Sequence, residues 1–576
     1  MRKFSCFFIA MLAAVVFTSE AKASSTGLQI IYSPAGIQRL SYNDVTLADT
    51  SLYPSDAFHI GHMKITDRKG NLLSGGQYNW GENNNGHTWN ASTKTWTYLF
   101  TWGSIAVQCA QEGNTLNLQV TETNSADSGI VLEGATIYPF VLHFPKLPAG
   151  FSDAKYEQLT FNTTGPSVTV ADYGGGQVAA VVPDAAKPLY SGYEPAGTAN
   201  AYFPIISSTP IDNMATFFPR NDRPVKPGET DTFTVSLRFA PSGTPVSNLA
   251  ADAYRNWAKA WPPVVHWTDR RVIGTVFLAN SPQGNMNKPG GYPNNPRRYF
   301  NNANAADFDI ATPAGLAKFQ AKVLNRAADT ALNLKKLNAQ GVITWDIEGE
   351  QYPQPTSYVC APDEIARVAP EMESIISDSA SPYNGMKLDD AYFKTLRDAG
   401  FRVGVCVRPQ HFTLAGGEAA NQDQLPESQV VAELTRKMEF AHSRWGATLF
   451  YVDSNVEANG QVLNADIFQK VAASFPDSLV IPEQSTRKYF AYTAPFASFV
   501  FHGDLGSPAD VRSYYPDAFS ANLINDVDPA KLAKHTPQLV EFVKQGDILM
   551  VLADYWQTNN QAVVKIYEAA GAKKSR

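Results

Sequence analysis

Charge is scarce in this chain. Asp, Glu, Lys and Arg make up 18% of its 576 residues, against about 25% in ordinary soluble domains. The 47 basic residues are outnumbered by 54 acidic ones, for a net charge of −7. No dense Lys/Arg stripe occurs, which argues against nucleic acid as a partner. Cysteine is scarcer still: four residues, none in a Cys/His spacing of the zinc-binding kind. No G-x-G-x-x-G or G-x-x-x-x-G-K-[ST] pattern follows an apolar run, so nucleotide binding has no support. Past the leader described below, no run of 18 apolar residues exists, and no membrane anchor is expected. What the chain does have is rings and amides. It carries 25 Tyr, 10 Trp and 32 Phe, with abundant Asn and Gly. A hydrophobic share of 44% is enough to bury a core and excludes intrinsic disorder. Flat rings and amides with few charges suit a sugar-binding surface, and suit any large β-rich secreted protein as well.

Residues 1–23 read as a secretory leader. Met1-Arg2-Lys3 is the basic start, Phe7 to Phe17 the apolar stretch, and Ala21-Lys22-Ala23 the cleavage site. The expectation is a secreted or periplasmic bacterial protein. Cys6 is not at the cleavage point, so a lipid anchor is not indicated. Cleavage removes three bases and one acid, taking the net charge from −7 to −9. Cys109, Cys360 and Cys406 remain. An odd number leaves at least one free thiol; Cys406, inside an apolar run, reads as a buried core thiol, and Cys360 pairs only if the fold brings a partner near.

From Leu28 to about Pro241 the pattern is β. Thr115 to Thr121 alternates apolar and polar residues with period two. Phe58–Ile65, Thr95–Cys109, Ile130–Phe144, Ser167–Ala171, Gln177–Val182 and Thr232–Phe239 read similarly, and an antiparallel β-sandwich over 24–245 follows. A helix over 246–263 ends at Trp261-Pro262-Pro263. From 264 to 576 the chain alternates strand and helix. Eight short apolar runs stand out: Val272–Ala279, Gly341–Ile347, Val403–Val407, Thr448–Val452, Leu479–Pro482, Ala497–Phe501, Ala521–Ile524 and Ile548–Leu552. Strands buried on both faces look like this, and eight β/α units predict a (β/α)8 TIM barrel. Helices are expected from Thr312-Pro313, over Pro426–His442 and Ala465–Phe475, over Pro537–Gln545, and over Ala562–Ala570.

In such barrels the working site forms beyond the C-terminal ends of the strands. There the sequence places Asp346, Glu348 and Glu350 after the second run, Arg408 after the third, Asp453 after the fourth and Glu483 after the fifth. His502 and Asp504 follow the sixth, Asp526 the seventh, and Asp554 and Trp556 the eighth. Acids end six of eight strands. A ring of carboxylates with aromatics and no metal-type His cluster is the equipment of glycosidic bond cleavage, which needs one carboxyl to protonate the leaving oxygen and another to act at the anomeric carbon. Adjacent strands lie about 4.8 Å apart, so Asp453 and Glu483 can meet the roughly 5–5.5 Å separation of a retaining enzyme. Asp453 with Asp504 is a second pairing. Singly, each acid reads equally well as a cap or a turn residue; as a set they read as a site. Asp346, Arg408, His502 and Asp504 are expected at sugar hydroxyls, Tyr451 and Trp556 as stacking faces, and Trp345 and Trp445 as packing. No cofactor or metal is called for, although Asp346, Glu348 and Glu350 could bind Ca²⁺ with carbonyls. The loops Gln283–Ala311 and Gln351–Lys387 are expected over the cleft.

With Phe450-Tyr451-Val452-Asp453 in place, the sequence resembles retaining glycoside hydrolases of the α-galactosidase and endo-α-N-acetylgalactosaminidase kind. The resemblance implies a β-sandwich ahead of a (β/α)8 barrel, with Asp453 as nucleophile at the fourth strand. In the endo-α-N-acetylgalactosaminidase group and in α-amylase-type barrels the acid/base would be Glu483. In the α-galactosidase clan it would be Asp504. The implied activity is retaining hydrolysis of an α-linked oligo- or polysaccharide. Two rival readings remain: a non-catalytic glycan-binding barrel, and a metal-dependent hydrolase or lyase built on Asp346, Glu348 and Glu350.

Overall fold

The computed structural model describes residues 26–52, 59–71, 73, 84–152, 160–161, 164–187, 189–208, 223–279, 299–300, 309–349, 359–415, 418–498, 506–525 and 527–571. The leader, His502, Asp504, Glu350, Asp526 and nearly all of the loop from Gln283 to Ala311 lie outside them.

The N-terminal half is a β-sandwich. Seven antiparallel strands run in the order Val168–Asp172, Gln177–Val181, Thr230–Ala240, Thr115–Asn124, Gly103–Glu112, Thr95–Phe100, Asn84–Asn90. A second antiparallel sheet includes Ile130–Tyr138, His59–Asp67, Ala201–Ser207 and Tyr190–Pro195. The period-two pattern explains the packing. Leu116, Leu118 and Val120 are fully buried on one face of their strand, and they share one core cluster with Leu132 and Ile137 of the facing sheet. The stretch Thr95–Cys109 is two strands, not one: they pair as a hairpin across Thr101-Trp102.

The connecting helix breaks at Ala250 into Val246–Leu249 and Ala251–Ala260. It belongs to both halves. Ala250 and Ala253 pack on Ala179 and Val181 of the sandwich, while Trp257 is buried in the barrel's outer core. Arg238 ties the sandwich to the helix through Asp252 and the Leu249 carbonyl.

Eight parallel strands follow: Ile273–Phe277, Gly341–Trp345, Arg402–Val407, Ala447–Val452, Leu479–Pro482, Phe496–Ser498, Ala521–Leu523 and Ile548–Leu552. Each pairs with its successor except the fifth and sixth, and the first pairs with the eighth. At that seam the Ala494 N–H donates to the Val480 carbonyl at 3.0 Å, so the ring closes as a (β/α)8 barrel. Alternate residues point inward. Ile343, Trp345, Cys406, Leu449, Tyr451, Leu479, Ile481 and Met550 form the inner core, and Val342, Val405, Phe450 and Val480 face the helices. Gly404 lets the third and fourth strands close up: a Cβ there would sit 2.0 Å from the Leu449 carbonyl oxygen.

Two helices start earlier than their proline and apolar signals imply. The helix expected from Pro537 spans Pro529–Lys544; Asp528 caps it by accepting from the Ala530 and Lys531 N–H groups, and Pro537 sits inside. The last helix spans Thr558–Ala569, opened by reciprocal side-chain bonds between Gln557 and Asn560. In both, a polar cap overrides the apolar period as the start signal. None of the described helices is long and apolar enough to cross a membrane.

Candidate active site

The inward parity of three adjacent strands carries past their last ladder residues. On the third strand Cys406 faces in, and Arg408 is the next inward position. On the fourth Tyr451 leads to Asp453, and on the fifth Ile481 leads to Glu483. Two more backbone bonds fix this extension: the Asp453 N–H reaches the Val407 carbonyl at 2.9 Å, and the Glu483 N–H the Val452 carbonyl at 3.0 Å.

Arg408, Asp453 and Glu483 form one charged assembly. Arg408 Nε donates to Asp453 Oδ2 at 2.5 Å, and its Nη2 approaches the same oxygen. Asp453 is 6% exposed. Glu483 Oε2 accepts the Ser454 N–H at 2.8 Å. Burial, the neighbouring Asp453 charge and a hydrogen bond with the Asp453 carboxyl push the Glu483 pKa up to about 7. Burial opposes the Arg408 charge, but Asp453 outweighs it and raises the Arg408 pKa. Three strands thus place the Arg408-paired Asp453 against a carboxyl whose pKa is lifted to about 7.

The loops around this assembly are latched from behind. Asn455, fully buried, accepts the Gln484 N–H through Oδ1 and donates to the Gln484 carbonyl through Nδ2, both at 2.8 Å. This pair locks the loop carrying Asp453 to the loop carrying Glu483. Lys437, on the helix Glu427–Trp445 and fully buried, donates to the carbonyls of Arg408 at 2.9 Å and Gln410 at 2.7 Å; burial lowers its pKa. Asn455→Ala removes the side chain that pairs with the N–H and carbonyl of half-buried Gln484. A loss of about 2–3 kcal/mol is expected, read by urea unfolding, with kcat falling more than KM rises.

The other expected site residues fall in different places. Arg408, expected at sugar hydroxyls, is engaged by Asp453 and by Gln422. Tyr451 faces the barrel interior, 5% exposed, against Trp345 at 4.9 Å and Phe496 at 5.1 Å; it is a plug beneath Asp453 rather than an open stacking face. Trp556 lies on the helix side, beneath the Lys336 ammonium at 5.2 Å. The turn after the eighth strand sends Asp554 there too, to Arg326 at 3.0 Å. Asp346 is buried in a left-handed turn (φ +59°) closed by the Gly349 N–H on its carbonyl at 2.9 Å. Glu348 is buried, and burial raises its pKa to about 7 against the pull of Lys437. Trp345 and Trp445 are packing, as expected; Trp445 stacks on Phe393 at 4.5 Å. The described part of the insert, 359–387, is seated rather than overhanging: Cys360, Ile365, Val368 and Met372 are buried.

Sequence reasoning did not find Gln422, Asn455 or Lys437. Gln422 belongs to a hairpin after the third strand, His411–Ala415 with Glu418–Asp423; Gly416-Gly417 between them was its signal. Lys437, a lone Lys on the apolar face Val430, Leu434, Met438 and Ala441, had a legible signal as well. A surface cavity of about 900 Å³ lies elsewhere, between the sandwich and the connecting helix, lined by Gln108, Asn117, Gln119 and Asn256.

No protein-family model matches the chain, and no curated protein sequence does. Similar solved structures exist at low identity. An α-N-acetylgalactosaminidase from Bifidobacterium bifidum, in complex with GalNAc, is 10% identical over 95% of this chain and 92% of its own, with a TM-score of 0.48. A family 36 α-galactosidase from Geobacillus stearothermophilus, in complex with raffinose, is 10% identical over 95% and 86%, with a TM-score of 0.42. A family 31 sulfoquinovosidase from E. rectale is 10% identical over 94% and 82%, with a TM-score of 0.43.

Proposed function

We propose that the chain is an exported glycoside hydrolase that cleaves an α-linked oligo- or polysaccharide with retention at the anomeric carbon. The observation that carries this reading is the Asp453–Glu483 pair: two carboxyls in contact, one ion-paired with Arg408 and one with its pKa lifted to about 7. The two carboxyls hydrogen-bond to each other, so a bound glycan has to part them; neighbouring strand ends allow the roughly 5–5.5 Å of direct attack rather than the roughly 6.5–9.5 Å that holds a water between. Asp453 attacks the anomeric carbon while Glu483 passes its proton to the leaving oxygen. Once Asp453 is esterified its charge is gone, and with it one cause of the raised Glu483 pKa. Glu483 then takes a proton from the water that frees the sugar. Arg408 keeps Asp453 aimed until attack. The leader and its A-x-A site support export to the periplasm or beyond. The α linkage rests on the resemblance carried by Phe450 to Asp453.

The test is hydrolysis of a panel of aryl α-glycosides, with the first-formed anomer read by NMR. Exclusive formation of the inverted anomer would remove the covalent step, and no turnover on any member would favour a binding role. The pH dependence follows from Glu483. The free enzyme needs it protonated, so kcat/KM is expected to decline as pH rises through about 7, tenfold per unit beyond it.

A further inference from the structure

Two thiols sit beside the acid pair and take no part in the chemistry above. Cys406 is the inward residue of the third strand just below Arg408, and Cys360 stands at the start of the described part of the insert after the second strand. Both are buried. Their sulfurs are 2.7 Å apart, far inside ordinary sulfur contact yet roughly 0.6–0.7 Å longer than a disulfide bond. The third group near them is the Asp453 carboxylate, within 4.8 Å. A cation shared by the three would have to displace the Arg408 guanidinium from Asp453 Oδ2. A covalent sulfur–sulfur bond needs no such displacement.

We propose that Cys360 and Cys406 are joined by a disulfide made while the chain folds. The two thiols lose two protons and two electrons, and the acceptor is a small-molecule or protein disulfide. One cysteine thiolate attacks the acceptor and releases its first thiol; the second cysteine attacks the mixed disulfide and releases the other. In the folded protein burial raises both thiols, Cys360 to about 11, so thiolate is scarce and the exchange belongs to an earlier, more open stage. The cross-link would pin the seat of Arg408. The Arg408 N–H donates to the Cys360 carbonyl at 3.1 Å, and Gln422, which holds the guanidinium, donates to the Val359 carbonyl at 3.2 Å.

The assignment stands apart from the glycosidase reading, and its test does not use activity. The full chain is unfolded, refolded in a reduced/oxidised glutathione couple, quenched with N-ethylmaleimide under denaturing conditions and digested. The expected map holds one peptide pair linking Cys360 to Cys406, which separates on reduction, while Cys109 carries the alkyl group. Alkyl groups or glutathione on both Cys360 and Cys406 would overturn the proposal. If refolding yields aggregate, the same map on chain made without denaturation, in cells whose cytoplasm oxidises thiols, distinguishes the same two outcomes.

Discussion

Replacing Asp453 by Asn is expected to lower turnover of an aryl α-glycoside by about 10⁴-fold or more, because the attacking oxygen is lost while the pocket's shape is kept. The choice of Asn matters. Arg408 is largely buried against this carboxylate, and removing one partner of such a pair costs about 3–5 kcal/mol, so truncation to Ala confounds lost chemistry with lost structure. The amide oxygen of Asn can still accept from Arg408 Nε. Circular dichroism should show the fold kept, with the urea midpoint lowered by the now uncompensated Arg408 charge but less than in Asp453→Ala, while activity disappears. A small-residue variant, Asp453→Gly, then serves a narrower purpose: added azide can occupy the vacated space and attack the anomeric carbon once, giving a glycosyl azide of inverted configuration. Wild-type turnover by Asp453→Asn would end the assignment. Undiminished glycan binding by a chain that never showed turnover would favour the binding-module reading.

How much of this was legible beforehand divides along one physical line. The inward parity of a strand is a local, period-two property, so Cys406-Arg408, Tyr451-Asp453 and Ile481-Glu483 could be placed at one mouth from spacing alone. Turns break that parity. The left-handed φ of Asp346 and the bend at Asp554-Tyr555 redirect the side chains there, which is why Asp554 and Trp556 belong to the helix layer rather than the mouth. Pairing between distant segments was beyond reach for another reason. Arg408 reads as a free sugar-binding cation until the barrel sets it beside Asp453, and nothing local joins Asn455 to Gln484 until the next loop brings the two together. The Cys360–Cys406 approach is of the same kind: one half lies in an insert whose path no periodicity describes.

Glu483→Gln is expected to act selectively, and the pattern says more than the size of the loss. With a poor leaving group, cleavage should slow by about 10²–10⁴-fold, the usual worth of a positioned general acid. With a strongly activated leaving group such as 2,4-dinitrophenolate, no proton is needed at that oxygen, and the first step should remain near wild-type speed. The second step still lacks its base, so the glycosyl-enzyme should accumulate, visible as a burst of phenolate and as added mass on the peptide containing Asp453. Azide needs no base to attack that intermediate, and should restore turnover with a product of retained configuration. The decline of kcat/KM through about pH 7 should vanish in the same variant, because the group that titrates is gone. A hydrogen-bonded structural carboxyl would show none of this leaving-group dependence. If Glu483→Gln keeps full activity on poor leaving groups while Asp504→Asn shows the whole pattern, the proton donor stands after the sixth strand rather than the fifth.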